Sequence, residues 1–541
     1  MEPQPPAKHP HYSIVAILAA SAFAFLFGLG RLGFLGPDEP RYAEVAREMY
    51  ESGDYISTRL CGCLWFEKPV LVYWMSAAGY RVFGVNEFGA RIPIALASLA
   101  MVALVYYSLI KLGRRNLAVT SSLVLATSGI VIAYARVATP DMILTAAITA
   151  SLLAAFHSLR ASGRARSVLW AVSFLFVGLA VLAKGLVGAL LVFAILGTHL
   201  LLTGQLGAVR WRDWLIGVVV LLVVAGTWYG PVIARHGWAF IQEFFVRHHF
   251  QRYTSNEFGH PQPVYFFILV ALAGMAPWSF FLIPAIARLR SLWKSRESLL
   301  VLAWIWAVVP IAFFSFSESK LPGYILPVFP ALAVIIGAEL ERFLSRETDR
   351  VLRTAAWLTG LLLAGFGVGF LLFVRSESVS IVGWRVMLDG LPLVLAVVSV
   401  VALAAKKLSA FAGTAAGVVL SIILASVVLL FPTLQDEVTL KSLSLEAAQA
   451  LRPGEKIGFY LKKEFGPVFY SGGRVLCEPR RGTTFYALHQ NMVADALANE
   501  SSLILITDGK WREGLEKDAR FTTEFIASQG ESLALRVTLK R

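Results

Sequence analysis

Ser167 to Thr203 reads SVLWAVSFLFVGLAVLAKGLVGALLVFAILGTHLLLT. It holds two apolar runs, 167–183 and 186–203, parted by Lys184-Gly185. About 20 apolar residues in a helix cross a hydrocarbon core of ~30 Å. A helix also satisfies its own backbone there, which an irregular segment does not. The stretch therefore predicts two membrane spans in tandem, with a lone ammonium at their joint. Working outward, the same signal recurs, giving about thirteen spans. Their approximate cores are 13–30, 88–110, 117–135, 142–158, 167–183, 186–203, 214–234, 263–286, 299–316, 323–338, 354–374, 391–405 and 410–431.

Composition agrees. Hydrophobic residues make up 57% of the chain and charged residues 16%, against about 25% charged in soluble domains. This excludes a string of soluble domains. The formal charge of +14 does not point to nucleic acid. Many of the basic residues lie in short loops between spans, and no zinc-finger or RNA-recognition motif is present. Lys111, Arg114 and Arg115 follow the second span, Arg160, Arg164 and Arg166 the fourth, and Arg210 and Arg212 the sixth. Arg288, Arg290, Lys294 and Arg296 follow the eighth; Arg342, Arg346, Arg350 and Arg353 the tenth; Lys406 and Lys407 the twelfth. Basic loops stay cytoplasmic, so the N-terminus is expected inside and the C-terminus outside. The first apolar run lacks a small-residue cleavage site and reads as a retained span.

Two outer loops are long, about 31–87 and about 235–262. The first carries two amphipathic stretches, one with Glu39, Arg41, Glu44 and Tyr50, the other from Pro69 to Phe83 with Trp74 and Tyr80. Both suit helices lying at the interface. After about residue 431, 432–541 returns to soluble-like composition. There Lys456–Leu461, Val468–Tyr470, Ser502–Ile506 and Leu533–Leu539 read as strands, and Gln490–Asn499 and Asp508–Leu515 as helices. The expectation is a polytopic α-helical protein with a transmembrane domain over 1–431 and a small α/β domain over 432–541. Cys61, Cys63 and Cys477 imply no disulfide framework. No internal repeat of the transporter kind is evident.

The unusual polar residues fall near span ends on the outer side: Asp38, Glu39, Arg41, Glu67, Lys68, Arg136, Asp141, Lys184, Arg247, His248, His249, Arg252, Glu318 and Lys320. Ionisable groups at membrane depth are costly and mark function, and a shared face suggests one site built from several loops. Asp38-Glu39 could supply a general base, or simply cap a helix. Glu67-Lys68 could place a point charge on a phosphate, or form a solvated pair before a Pro-started helix. Asp141 has the same choice between site and cap. Lys184 could counter a phosphate, or snorkel. The 247–253 segment, RHHFQRY, offers metal or phosphate ligands. Lys320 and Tyr324 sit in a turn that could face the pocket or only connect two spans.

The segments Asp38-Glu39-Pro40-Arg41-Tyr42-Ala43-Glu44, Phe66-Glu67-Lys68-Pro69-Val70, Pro140-Asp141, Ala183-Lys184-Gly185, His249-Phe250-Gln251-Arg252-Tyr253 and Ser319-Lys320-Leu321-Pro322-Gly323-Tyr324 follow one another across roughly 300 residues. In that order they resemble the dolichyl-phosphate-mannose-protein mannosyltransferase-like family of GT-C membrane glycosyltransferases. Within it, the likeness is to the undecaprenyl-phosphate 4-amino-4-deoxy-L-arabinose transferases of lipid A. The resemblance implies an inverting transfer from a polyprenyl-phosphate sugar on the periplasmic face of a bacterial inner membrane. It implies Asp38 and Asp141 as the catalytic acids, and Arg41, Lys68, Lys184 and Arg252 as donor-phosphate cations. Glu39, Lys320 and Tyr324 would line the pocket, and Glu67 with His249 would form a divalent-metal site, zinc for example, as in some members. The core motifs do not encode the sugar. Mannose, galacturonate or a hexosamine, passed to lipopolysaccharide, another glycan or protein, remains an alternative, as does a lipid or solute transporter.

Overall fold

The computed structural model describes residues 10–244, 261–295, 298–347, 349–376, 385–462, 464–476 and 487–540. Among them, nine helices are long and apolar enough to cross a membrane; two further spans are bent pairs, and Ile14–Leu26 and Leu186–Leu202 are shorter apolar helices. Each span expected from hydropathy has one such counterpart. The first ten helices are α1 (Pro10–Leu26), α2 (Asp38–Ser52), α3 (Leu71–Phe83), α4 (Glu87–Lys111), α5 (Arg115–Ala126), α6 (Gly129–Ala135), α7 (Pro140–Arg160), α8 (Gly163–Lys184), α9 (Leu186–Leu202) and α10 (Trp211–Ile241). The last apolar helix runs on past residue 431 to Val438.

Packing relies on small residues, because lipid gives apolar side chains no hydrophobic reason to associate. The span Pro322–Leu344 is buried almost throughout, whereas Trp211–Phe244 lies at the rim. At the centre, a Cβ on Gly337 would come within 2.8 Å of the Ser121 backbone. The Thr120 hydroxyl donates to the Gly337 carbonyl at 2.8 Å.

The two bent pairs meet at their joints. α5 and α6 are bent by 63°, and Phe266–Gly274 and Trp278–Ala287 by 111°. Trp278 Nε1 donates to Thr127 Oγ1 at 2.8 Å, Gly129 N to the Ala276 carbonyl at 3.3 Å, and Ser128 Oγ to Met275 Sδ at 3.6 Å. Groups released where one helix breaks are thus satisfied by the other break, as an apolar surrounding demands.

The basic loops gather at one mouth of the bundle. Arg114 pairs with Glu341 at 3.5 Å, Arg166 with Asp213 at 2.9 Å, and Arg288 with Glu339 at 3.1 Å. At the opposite mouth Arg136 donates to the carbonyls of Ala24 and Phe27, each at 2.9 Å, and Arg235 pairs with Asp54 at 2.8 Å. α2 and α3 form there, in the first long loop, joined by a hairpin of β1 (Arg59–Leu60) and β2 (Cys63–Leu64).

The C-terminal sheet is mixed, with order β4-β3-β5-β7-β6. Its strands are β3 (Lys456–Tyr460), β4 (Ala487–Leu488), β5 (Leu503–Asp508), β6 (Phe521–Gln529) and β7 (Ser532–Leu539). Helix Gln490–Asn499 forms as expected, and Gly509–Glu516 is helical in two short pieces. Val468–Tyr470, expected as a strand, lies instead in the helix Gly466–Tyr470. Pro467 in its first turn explains this: its fixed φ suits a helix start, and it offers no amide to a ladder.

This domain docks on the first loop. Tyr470 OH accepts from Phe34 N at 2.9 Å and donates to Glu87 at 2.8 Å. Lys441 pairs with Glu87 at 2.6 Å. The rings of Phe34 and Phe469 meet edge to face at 4.8 Å.

Candidate functional site

α2 begins at Asp38, after Pro37, with no side-chain cap. Successive residues on a helix point about 100° apart, so the two acids diverge. Asp38 stays 46% exposed and pairs with Arg41. Glu39, expected to line the pocket, is fully buried and accepts from Arg91 Nε and Nη2, at 2.7 and 2.8 Å. It also accepts from Leu35 N and Ala138 N, each at 2.8 Å. Arg91 in turn donates to the carbonyls of Leu29, Leu32 and Gly33 at 2.7–2.9 Å. This is a structural clamp: it ties the end of α1, the start of α2 and the chain leading to Asp141 into one block. Arg91 was missed in the sequence, although an arginine near the start of an apolar span is itself the signal.

Arg41 links the acids of the first loop. Beyond Asp38, its second arm lies 3.3 Å from Glu67, whose other oxygen is 3.1 Å from Lys68 Nζ. Burial alone would lower the Arg41 pKa; Glu67, Tyr42 and Asp38 outweigh it and raise it, so the guanidinium stays cationic. The Glu67 segment is held by Phe66, whose ring packs at 5.2 Å on His236 and 5.1 Å on Phe240. Trp65 N donates to Thr58 O at 2.9 Å. Rings of Tyr42, Trp65 and Phe465 surround the Arg41 guanidinium at 5.9, 5.7 and 4.7 Å.

A second pair stands opposite. α7 starts at Pro140, and Asp141 follows in its first turn without capping it. Lys184 closes α8, where Gly185 takes φ 80° and lets the chain reverse into α9. Its Nζ lies 2.5 Å from Asp141 Oδ1 and 5.0 Å from the centre of the Tyr324 ring. Gly323 makes this contact fit: a Cβ there would lie 2.8 Å from both Asp141 Oδ1 and the Tyr134 hydroxyl. The Tyr134 hydroxyl therefore lies beside this pair. Tyr134 was not singled out in the sequence, because a tyrosine near a span end is ordinary belt chemistry.

Two expectations shift. Lys320, placed in the pocket by the sequence, is buried and donates to the Ser317 carbonyl at 2.5 Å; the tight turn curls its ammonium back on its own backbone. Arg252 and His249 lie outside the described residues, so the fourth phosphate cation and the second metal ligand are not placed. Glu67 already faces Arg41 and Lys68 with its two oxygens, and among the described residues no group of three His, Cys, Asp or Glu could hold a metal ion.

Among the described residues, thirteen apolar segments and a docked α/β domain thus frame matched ion pairs at one mouth. The model of the family "Dolichyl-phosphate-mannose-protein mannosyltransferase" matches residues 67–229. An undecaprenyl phosphate-alpha-4-amino-4-deoxy-L-arabinose arabinosyl transferase of Pseudomonas aeruginosa is 33% identical over 62% of this chain and 61% of its own length. A protein of the same name from Pectobacterium carotovorum is 30% identical over 69% of each chain. The crystal structure of ArnT from Cupriavidus metallidurans bound to undecaprenyl phosphate shares the fold, with TM-score 0.78 over 97% of both chains at 24% identity. Its apo state gives 0.79 at 22% identity. The chain belongs to the same family as these relatives.

Proposed function

We propose that this protein transfers a sugar from undecaprenyl phosphate to lipid A on the periplasmic face of a bacterial inner membrane, with 4-amino-4-deoxy-L-arabinose as the sugar. The observation that carries this is that two ion-pair clusters, Asp38–Arg41–Glu67–Lys68 and Asp141–Lys184, lie at one mouth of the bundle, their segments tied by the Ala138 N to Glu39 hydrogen bond at 2.8 Å. The names of the relatives support donor and sugar. The clustering of the short basic loops at the other mouth supports the orientation.

In this reading an acceptor oxygen attacks the anomeric carbon while the bond from that carbon to the phosphate oxygen breaks. The electron pair leaves on the polyprenyl phosphate, and Arg41, Lys68 and Lys184 offset its growing charge. Asp38 is the half-exposed carboxylate of the group, so it is the one an acceptor can reach. If the acceptor is a hydroxyl, Asp38 takes its proton. If it is a lipid A phosphate, already anionic, Asp38 orients it and stabilises positive charge on the sugar ring.

The test is mass spectrometry of lipid A from cells that make the donor and express either the native protein or Asp38→Asn. A mass gain of one aminoarabinose with the native protein alone supports the reading. A gain of another sugar would retain the reaction and replace the sugar. An unchanged gain with Asp38→Asn would remove Asp38 from the site.

A further inference from the structure

The Arg41 guanidinium is shared between two parts of the fold. α2 supplies the side chain and Asp38, and the chain beyond it supplies Glu67 as the second acidic partner. The nearest ring over it, Phe465 at 4.7 Å, comes from the C-terminal domain. Among the described residues, Arg41 Nε has no hydrogen-bond partner although it is buried. Among the described residues, no polar acceptor faces that flank of the cation.

Phe465 is itself held in place. It immediately precedes the helix Gly466–Tyr470. That helix is pinned through Tyr470 to Phe34 and Glu87, and through Phe469 to the Phe34 ring. Beyond it the chain turns through Gly472 and Gly473, with φ of 70° and 72°. This turn passes so close beneath α2 that a Cβ on Gly473 would lie 2.8 Å from both Arg47 Nη2 and Glu44 Oε1. Only glycine suits that backbone and that gap. The turn fixes the domain against the same helix that carries Arg41.

We infer that the C-terminal domain is a working wall of the donor site, and that Phe465 is a positioning residue that holds the Arg41 guanidinium for the lipid phosphate. The ring face attracts the cation. It also fills the flank where the guanidinium would otherwise swing away from Asp38 and Glu67. The inference rests on the proposed reading of Arg41 as a donor-phosphate cation.

The experiment uses the full-length protein in detergent, with undecaprenyl phosphate as the binding probe and the sugar-loaded lipid as substrate. Phe465→Ala should weaken undecaprenyl phosphate binding and raise KM for the donor about 3- to 30-fold, with kcat little changed. Phe465→Tyr should bind as the native protein does. Phe465→Leu, which keeps bulk and loses the ring, should behave like Phe465→Ala; if it binds normally, the ring does not act on the cation and the inference falls. The leucine variant also decides the matter should the alanine variant unfold. Arg41→Gln separates the two readings. If it leaves undecaprenyl phosphate binding unchanged, the donor-phosphate role of Arg41 falls and takes the inference with it. If it weakens binding while Phe465→Ala does not, only the inference falls. In the Arg41→Gln background, Phe465→Ala should add nothing further.

Discussion

Replacing Glu39 with alanine strips Arg91 of its counter-charge. Arg91 is 2% exposed and Glu39 fully buried, so solvent cannot take over. Breaking a buried ion pair from one side costs about 3–5 kcal/mol, because the remaining charge is left uncompensated. The amides of Leu35 and Ala138 lose their acceptor as well, and a buried orphan donor costs about 1–3 kcal/mol. These terms share one carboxylate and do not simply add, so we expect a total near the upper end of the first range. The assay is a double-mutant cycle of Glu39→Ala, Arg91→Met and both together, read from unfolding titrations of the purified protein. Each single change should destabilise strongly. The double should cost about 3 kcal/mol less than the sum of the two singles. Singles that cost under about 1 kcal/mol, or a double equal to their sum, would refute the clamp. Asp38→Asn, one residue earlier and half-exposed, should shift stability by only about 0.5 kcal/mol.

Gly323→Ala should keep the protein folded and lower transfer. Its new methyl must displace Asp141 or Tyr134, and such overpacking costs about 1–3 kcal/mol. Separate measurement of kcat and donor KM, beside a thermal midpoint, checks this; native kinetics would show that the Asp141 contact is not needed. A pH effect is expected at the domain contact. Burial, partly offset by Arg47, pushes the Glu44 carboxyl up from 4.5 to about 8. The folded protein thus holds that proton more tightly than the unfolded chain. The stabilisation is full below 4.5 and is lost as pH rises to about 8. Glu44→Gln should flatten that part of the stability profile, and an unchanged slope would assign the decline to another group.

The spans and the two helices of the first long loop were legible because hydropathy and amphipathic period are local. So was the set of acid–base motifs. Their division of labour was not. Asp38 and Glu39 look alike in the sequence, yet helix geometry turns one to the mouth and the other to the core. Lys320 reads as a pocket cation until the curl of its turn is known. β6 escaped notice because Phe525 is exposed and the register slips between Phe525 and Ala527, which blurs the alternation a strand would show. Phe465 over Arg41 joins distant parts of the chain, and no local pattern encodes such a pair.

The paired breaks in the membrane helices set a condition on how the protein is made. Thr127 and Trp278, which close the two joints on each other, are 151 residues apart. At about 5–20 residues per second of synthesis, the first joint waits roughly 8–30 s for its partner to leave the ribosome. Through that interval the Gly129 amide lacks the acceptor it has in the finished bundle. Lipid cannot supply one. The bend of the third segment is therefore completed only when the eighth arrives. The two breaks form as a paired event rather than in strict succession.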